Sequence, residues 1–393
     1  MQLAKQTYKR IYCTASVLVI FICAKAQENS PFSRYGLGDL YPNQHIAVRA
    51  MGGMGTIFAS DQALNAVNPA SYSALRFINI QGASKGALIT YDIGISIDAR
   101  TLRSAVPNLS YKSTNFSPSY IMLGVPLSAK ADSRKRNAGL VFGLRPATRI
   151  NYSVQNNSRI PIDSIQTLYE GKGGLNQVFI GIGKKWNNFS IGLNAGYQFG
   201  KKDITTKVIF QNDTVNYYKS NFETNTDFWG FFFTPGFMYN IRLKEIKATP
   251  LKNYNQGYFL RLGASATLAQ TLKASGSLRR ETFAYDESAG TVTIDSVYEA
   301  KNLKGEIKLP LAYNAGIQFS KKLYIAGDVA LTKWSIGAEY NVSNWTDYRY
   351  YDKTDEVVNS SMFRVGGEFL PSPFSTSFFR RSTYRFGFYS GKD

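Results

Sequence analysis

The sequence predicts an all-β protein that crosses a membrane as an antiparallel β-barrel. In many segments apolar residues alternate with small or polar ones, and these segments reach about nine to eleven residues, enough to cross a bilayer at a tilt. After the N-terminal region no apolar run is as long as a spanning helix, so a membrane crossing requires strands. A two-sheet sandwich is the alternative, but its strands are typically about five or six residues long.

The clearest alternation runs from Phe189 to Phe199. Two further runs, Tyr258 to Leu268 and Leu309 to Phe319, repeat the pattern. In each run one face is apolar and the other is small or polar, as a wall between lipid and an interior requires.

The pattern predicts eleven strands with alternating short and long connections, and the long polar connections are expected on the outer side. Single-chain bacterial barrels have even strand numbers, so we expect C-terminal strands to be missing. The predicted strands are 88–103, 111–127, 138–154, 175–186, 189–205, 225–243, 254–275, 303–319, 323–337, 360–370 and 382–390.

The N-terminal residues predict that the protein is exported from the cytoplasm. Three basic residues precede an apolar run from Ile11 to Cys23, which ends at the small residues of Ala24-Lys25-Ala26. This order is typical of a secretory signal peptide over residues 1–26, whereas a buried N-terminal helix is the alternative. We therefore expect the protein in the outer membrane of a Gram-negative cell.

Cysteine and histidine usage argues against an enzyme. Cys13 and Cys23 both lie in the predicted signal peptide, and His45 is the only histidine. A catalytic His pair, a thiolate nucleophile and a Cys- or His-based metal site therefore have no candidates, and we expect no cofactor. An outer-membrane hydrolase would need a neighbour for His45, which the sequence does not offer.

The charge is strongly basic. The chain holds 46 basic and 27 acidic residues, and removal of the four basic residues of the predicted signal peptide leaves a net charge of +15. The basic residues are scattered in connections without a nucleic-acid-binding motif. We expect outer-membrane lipid and lipopolysaccharide as partners, no nucleic acid, and a monomer.

Residues 27–87 do not alternate and are predicted to form a compact plug, or hatch, inside the barrel of residues 88–393. The segment contains Gly52, Gly53 and Gly55, and small residues allow close approach to a wall. The alternative is that these glycines form a phosphate-binding loop, but no strand–loop–helix context supports it.

Several motifs resemble the FadL/TodX family of outer-membrane transporters of hydrophobic compounds. Asn68-Pro69-Ala70 after the glycine-rich stretch is similar to the hatch of that family. The other similar motifs are Gly173-Gly174-Leu175-Asn176, Leu309-Pro310, Lys333-Trp334-Ser335 and Tyr384-Arg385 followed by Gly387. The resemblance implies a fourteen-stranded barrel, here truncated to about eleven strands, and passive transport of long-chain fatty acids or similar compounds.

In that family a kink in the third strand opens sideways into the membrane. The third predicted strand here contains Gly143 and Pro146, and proline cannot donate to the hydrogen-bond ladder. We therefore predict a gap in the wall at Gly143–Pro146, facing Asn68. The alternative is that the strand ends earlier and Pro146 lies in a turn.

Three arginines are candidate ligands for a fatty-acid carboxylate: Arg145, Arg149 and Arg261. Pairing with acidic residues across the barrel is the alternative for each of them. Phe231 and Phe233 are candidates for an apolar pocket, although their run of three phenylalanines is equally consistent with a bulged strand.

Two functions follow from these predictions. Transport of a hydrophobic small molecule through a lumen site and a lateral opening is the first. The second is that the barrel is a non-transporting accessory of protein secretion, as the resemblance also allows. A missing kink or a filled lumen would favour the second.

Overall fold

The computed structural model describes residues 30–78, 86–104, 108–127, 136–160, 163–211, 217–248, 254–286, 290–325 and 329–392. The predicted signal peptide lies outside the described residues. Among the residues described, no helix has both the length and the apolar character that a membrane-spanning helix needs.

Long strands account for most of the described chain. They are β4 (Thr90–Ser104), β5 (Leu109–Pro126), β6 (Arg136–Pro146), β7 (Thr148–Ile160), β8 (Asp163–Trp186), β9 (Phe189–Phe210), β10 (Lys219–Ile246), β11 (Asn255–Thr267), β12 (Gln270–Asp286), β13 (Gly290–Leu309), β14 (Ala312–Ile325), β15 (Val329–Ser343), β17 (Ser360–Phe369) and β18 (Tyr384–Lys392).

Short elements precede and connect them. They are the 3₁₀ helices η1 (Pro31–Arg34), η2 (Pro69–Ala74) and η3 (Trp345–Asp347), the helices α1 (Ile46–Ala50) and α2 (Phe378–Arg381), and the two-residue strands β1 (Asp39–Leu40), β2 (Phe77–Ile78), β3 (Gly86–Ala87) and β16 (Arg349–Tyr350).

One antiparallel sheet forms the wall. Its continuous order is β18-β17-β15-β14-β11-β10-β9-β8-β6-β5-β4, and within the described residues β4 and β18 do not pair with each other. This path contains eleven strands, as predicted. The all-β fold and the antiparallel sheet are thereby confirmed.

Three predicted strands are each divided into two pieces. The break between β6 and β7 falls at Ala147, the break between β11 and β12 at 268–269, and the break between β13 and β14 at 310–311. Beyond the second break, β10 exchanges its partner β11 for β12. The prediction placed these strands correctly but missed the breaks at 268–269 and 310–311.

The two faces of the wall differ as the alternation predicts. Ile191, Leu193 and Phe199 are each about 41–42% exposed, whereas Asn194 and Gln198 on the same strand are fully buried. In water an exposed apolar band of this extent would be unfavourable, but lipid is an equally apolar surrounding. The exposed face is therefore the lipid-facing face, and the polar face is turned inward.

The predicted long loops at 155–174, 206–224 and 276–302 are wrong. These segments continue as antiparallel strands, with Ile160 paired to Asp163 and Asp286 paired to Gly290 across two of the connections. Their polar composition does not prevent strand pairing, because the antiparallel partner satisfies the backbone whatever the side chains are. The predicted turn at 320–322 is also wrong, since β14 continues to Ile325.

Candidate functional site between the inner segment and the wall

Residues 30–78, here called the inner segment, pack against the inward face of the wall. A Cβ atom added at any of eleven wall glycines would come within 3.0 Å of an inner-segment atom. Because these glycines lie on ten strands of the path, the sheet must curve around the segment. The glycines are Gly124, Gly139, Gly181, Gly183, Gly192, Gly236, Gly263, Gly316, Gly337, Gly366 and Gly387.

Polar side chains of the wall bind the backbone of the inner segment. Five strands each contribute one such group, and the bonds are between 2.7 and 3.1 Å long. Asp92 accepts from Leu64 N, Glu339 accepts from Thr56 N, Arg261 donates to Ile57 O, Asn194 donates to Ala66 O, and Asn137 donates to Ser73 O. Four of these five backbone groups lie outside helices and strands, so the bonds satisfy buried backbone that no regular structure pairs.

Asn68 is the most connected residue of the inner segment. Its Oδ1 accepts from Ala70 N and caps η2, and its Nδ2 donates to Thr56 O at 2.7 Å and to Phe237 O at 2.9 Å. A third, longer contact of 3.3 Å reaches Ala264 O. The residue thus links the segment to β10 and β11, and it is fully buried.

Tyr72 anchors the apolar part of the interface. It is 1% exposed and packs in a cluster with Leu64, Leu75 and wall residues that include Phe179. Its hydroxyl donates to Asn194 Oδ1 at 3.0 Å, and burial raises the pKa of the phenol well above its usual range. The phenol is therefore a neutral donor.

Two of the three predicted glycines of the segment, Gly52 and Gly53, lie at its contact with the last strands. Gly52 and Gly53 have φ values of +71° and +84°, which favour glycine. Gly52 lies against the backbone of Phe388 and Val365, whereas Gly55 packs on Val67 inside the segment. Two of the three predicted glycines therefore meet the wall or its side chains, and the third serves internal packing.

His45 lies where the inner segment meets β4. Its Nδ1 accepts from Ala47 N at 2.9 Å and caps α1, and its Nε2 is 3.5 Å from Asp92 Oδ2. Burial lowers the pKa of the imidazole, against the opposing effect of Asp92. The neutral tautomer with the proton on Nε2 satisfies both contacts.

The wall is split between β5 and β7. β5 pairs with β6 only from Ile121 to Pro126, and β6 ends at Pro146. Residues 109–120 of β5 are therefore not paired to β7, which pairs with β8 instead. This opening, called the wall split, begins beside the predicted kink at Gly143–Pro146.

The start of the inner segment fills the wall split. β1 pairs with β7, with Asp39 opposite Arg149 and Leu40 opposite Thr148. Asn43 donates to Pro146 O at 2.8 Å, and the Tyr41 hydroxyl is hydrogen-bonded to Ser117 on β5. Residues 39–43 thus pair with the backbone of β7 and reach β5 through a side-chain hydrogen bond.

The prediction that Asn68 faces the gap is wrong. Asn68 contacts β10 and β11, on a different part of the wall, because Gly236 and Gly192 allow Asn68 and Pro69 to approach there. Ala70 follows in η2 and is fully buried. The segment reaches the split with residues 39–43, and sequence reasoning missed them because they carry no recognisable motif.

The three candidate arginines have different surroundings. Arg145 is buried, donates to Gln177 at 3.1 Å and lies 5.3 Å from the ring centre of Phe179. Arg261 donates to Asn240 Oδ1 and to Ile57 O. For these two, neither a ligand carboxylate nor a protein carboxylate is needed to explain the contacts. Arg149 lies on β7 beside the wall split.

The placement of Phe231 and Phe233 in an interior pocket is wrong. They are 68% and 46% exposed on the lipid-facing side of β10, whereas Phe232 between them is 1% exposed and belongs to the inner cluster. Side chains alternate regularly between the two faces along β10, and this explains the exposures of all three phenylalanines without a bulge. The inward phenylalanine was missed because Pro235 and Gly236 obscure the phase of the pattern.

A groove of about 550 Å³ lies on the outer face of β8, β9 and β10. Aromatic side chains and polar groups line it, close to the break between β6 and β7. The lining residues include Gly174, Asn176, Tyr197, Phe199, Lys201 and Trp229. Gly174 lies against the backbone of Thr148 and Arg149, so the groove borders the start of β7.

Comparisons with known proteins bear on the family. Among solved structures, a CymD monoaromatic hydrocarbon channel is similar at 13% sequence identity and a TM-score of 0.40, over 85% of this chain and 81% of that chain. No curated protein matches the sequence. The profile of the BamG family matches residues 8–392, nearly the whole length. The chain therefore belongs to the BamG family.

Proposed function

We propose that this protein is an accessory component of the β-barrel assembly machinery (BAM) in a Gram-negative outer membrane. The family name, BamG, points to an association with that machinery. In this proposal the wall is a lipid-embedded scaffold, and the inner segment is a permanent plug. It shares the non-transporting barrel with the second of the two functions that the sequence suggests, but it assigns the barrel to barrel assembly instead of protein secretion.

The observation that carries the proposal is the contact of the inner segment with all eleven strands of the path. Ten strands meet it through glycines, and β4 meets it through Asp92. Each intramolecular hydrogen bond contributes about 0.5–1.5 kcal/mol, and each fully buried apolar side chain roughly 1.5–3 kcal/mol. A solute that passed along this route would have to break many such contacts together, which favours a plug over a gate.

Affinity purification tests the association. The protein is extracted from outer membranes in mild detergent through a tag, and co-purifying proteins are quantified against an unrelated outer-membrane barrel of similar abundance. The proposal predicts enrichment of BAM subunits, and reduced levels of other outer-membrane barrels in depleted cells. Equal recovery with both baits, together with normal barrel levels after depletion, would contradict it.

Passage of hydrophobic compounds through the wall split is the second candidate. The break at Ala147, the split beside it and the neighbouring outer groove favour this function. A disulfide between Leu40→Cys and Thr148→Cys, which are opposite each other in the β1–β7 pair, would fix the residues that fill the split to β7. Loss of uptake of long-chain fatty acid on oxidation, restored by reductant, would support transport. Unchanged uptake would exclude passage that requires these residues to leave β7.

A further inference from the structure

The connection between β17 and β18, residues 370–383, exposes three phenylalanines. Phe374, Phe378 and Phe379 are 56%, 66% and 72% exposed, more than Phe369 at the end of β17 with 45%. Isolated exposed apolar residues are common on proteins, but three large aromatic rings in one short connection are not. The connection is called the Phe–Arg loop below, because Arg380 and Arg381 follow the last of these rings.

The exposure is built into the conformation of the loop. Ser372 N donates to Arg380 O at 2.7 Å and closes the loop across its base. Ser382 Oγ donates to Phe378 O at 2.8 Å, and the Tyr384 hydroxyl donates to Phe379 O at 3.0 Å. These bonds hold the backbone of α2 while the rings of Phe378 and Phe379 remain exposed.

The loop continues a belt of aromatic residues at the same end of the wall. The ring centres of Phe319 and Trp334 are 5.3 Å apart, and Phe374 lies 5.4 Å from Tyr254. Lys333 lies 5.6 Å from the ring of Phe369 and also bonds to Pro371 O. Aromatic residues mixed with lysines are typical of the boundary between the hydrocarbon core and the lipid headgroups.

The charge of the loop is positive throughout. Residues 370–383 contain Arg380 and Arg381 and no acidic residue. Both arginines are exposed, and Lys321 and Lys333 lie at the neighbouring strand ends. Guanidinium groups bind phosphate oxygens through paired hydrogen bonds, so this surface is complementary to phosphate headgroups.

We propose that the Phe–Arg loop binds the membrane surface, with its phenyl rings among the acyl chains and its two guanidinium groups on the phosphates of anionic phospholipid. The loop lies at the end of the wall opposite the long β7–β8, β9–β10 and β12–β13 hairpins, and because the longer extensions face outward in proteins of this class, this end is the periplasmic one. The lipid in question is therefore phospholipid of the periplasmic leaflet. The proposal is independent of the role of the inner segment.

Tryptophan fluorescence in nanodiscs tests the position of the rings. Phe379→Trp is compared with the unsubstituted protein, so that the difference signal comes from position 379, in lipid with or without bromine atoms near the headgroup end of the chains. Tyr285→Trp near the tip of the β12–β13 hairpin, where Tyr285 is 55% exposed, is the control. We expect brominated lipid to quench the signal from 379 by at least about half and the signal from 285 not at all.

The charges are tested by lipid selectivity. Native mass spectrometry counts phosphatidylglycerol and phosphatidylcholine molecules retained by the unsubstituted protein, by Arg380→Gln/Arg381→Gln and by the control Arg279→Gln/Lys301→Gln. We expect the first variant alone to lose preference for phosphatidylglycerol, by about tenfold. An unquenched, water-exposed signal at 379 would overturn the proposal. So would protection of that position only after envelope proteins are added, because the loop would then bind a protein.

Discussion

The side-chain amide of Asn68 donates to the carbonyl oxygen of Phe237 at 2.9 Å. That carbonyl belongs to β10, and the same amide reaches Thr56 O within the inner segment. One side chain therefore joins two parts of the inner segment to a lipid-embedded strand. Displacement of the segment would break these hydrogen bonds together, which supports the proposed plug.

Removal of the amide should loosen the inner segment. Asn68→Asp keeps an acceptor for Ala70 N but removes the donor, and Asn68→Ala removes both. Loss of a donor to buried carbonyls costs about 1–3 kcal/mol. We expect faster hydrogen exchange at residues 56–70 in both variants. Wild-type protection in Asn68→Asp would mean that the cap, and not the bridge to Phe237, holds the segment.

A side chain at a wall glycine should expel the inner segment locally. In Gly192→Val, the new Cβ would meet Ala70 N and Pro69 O at 2.5 Å. Overpacking of this kind typically costs about 1–3 kcal/mol. We expect a lower midpoint of heat-induced unfolding, measured by the shift in gel migration. Ala195→Val, on the opposite face of β9, should leave the midpoint unchanged, and equal loss in both variants would refute the contact.

Acidification should weaken the contact at His45. Because burial lowers the pKa of this imidazole in the folded protein, its contribution to stability is fully present above the unfolded pKa of about 6.5 and is lost as the pH falls through the folded pKa. Arg385 on β18 and Asp92 on β4 are the charged groups that act on it. Protonation at Nδ1 also removes the acceptor for Ala47 N.

Hydrogen exchange of α1 between pH 7.5 and 5 measures this effect after correction for the intrinsic rates. We expect protection at Ala47 to fall in the unsubstituted protein. His45→Asn keeps a capping oxygen that does not titrate, so its protection should not depend on pH. The same decrease in both proteins would place the responsible group elsewhere.

The residues that fill the wall split should keep the membrane sealed. Asn43→Ala removes the donor to Pro146 O, and Tyr41→Phe removes the bond to Ser117. In cells with the double variant we expect several-fold greater entry of a hydrophobic dye than with Asn157→Ala, which alters only a contact to Gln155 on exposed β7. Reduced entry in the double variant would instead favour transport that depends on these residues.

The sequence predicts the faces of the wall strands more directly than it predicts their contacts with the inner segment. The run from Phe189 to Phe199 predicts which face meets lipid because burial repeats every second residue along a strand. The same run contains Asn194, whose inward position followed from the alternation. Its partner Ala66 O could not be predicted, because contacts between residues 128 positions apart depend on how the sheet curves.

The motifs of the inner segment do not predict its contacts with the wall. Asn68 and Pro69 are indeed buried at the wall, yet they face Gly236 and not Pro146. Arg261 was expected to bind a carboxylate but donates to a backbone carbonyl, since a buried guanidinium can donate to any oxygen within reach. Inward-facing polar residues in otherwise apolar strands would have been a better guide than the arginines alone.

A disulfide that fixes the inner segment to the wall tests most directly the claim that the segment is a permanent plug. The Oγ atoms of Ser73 and Ser190 are 3.2 Å apart, so Ser73→Cys/Ser190→Cys is expected to cross-link on oxidation. The measurement is the level of newly assembled outer-membrane barrels in cells whose only copy of the protein is this variant, with each single-cysteine variant as a control. The account predicts normal assembly with the cross-link formed. Loss of assembly that reductant restores, in the double variant alone, would contradict it.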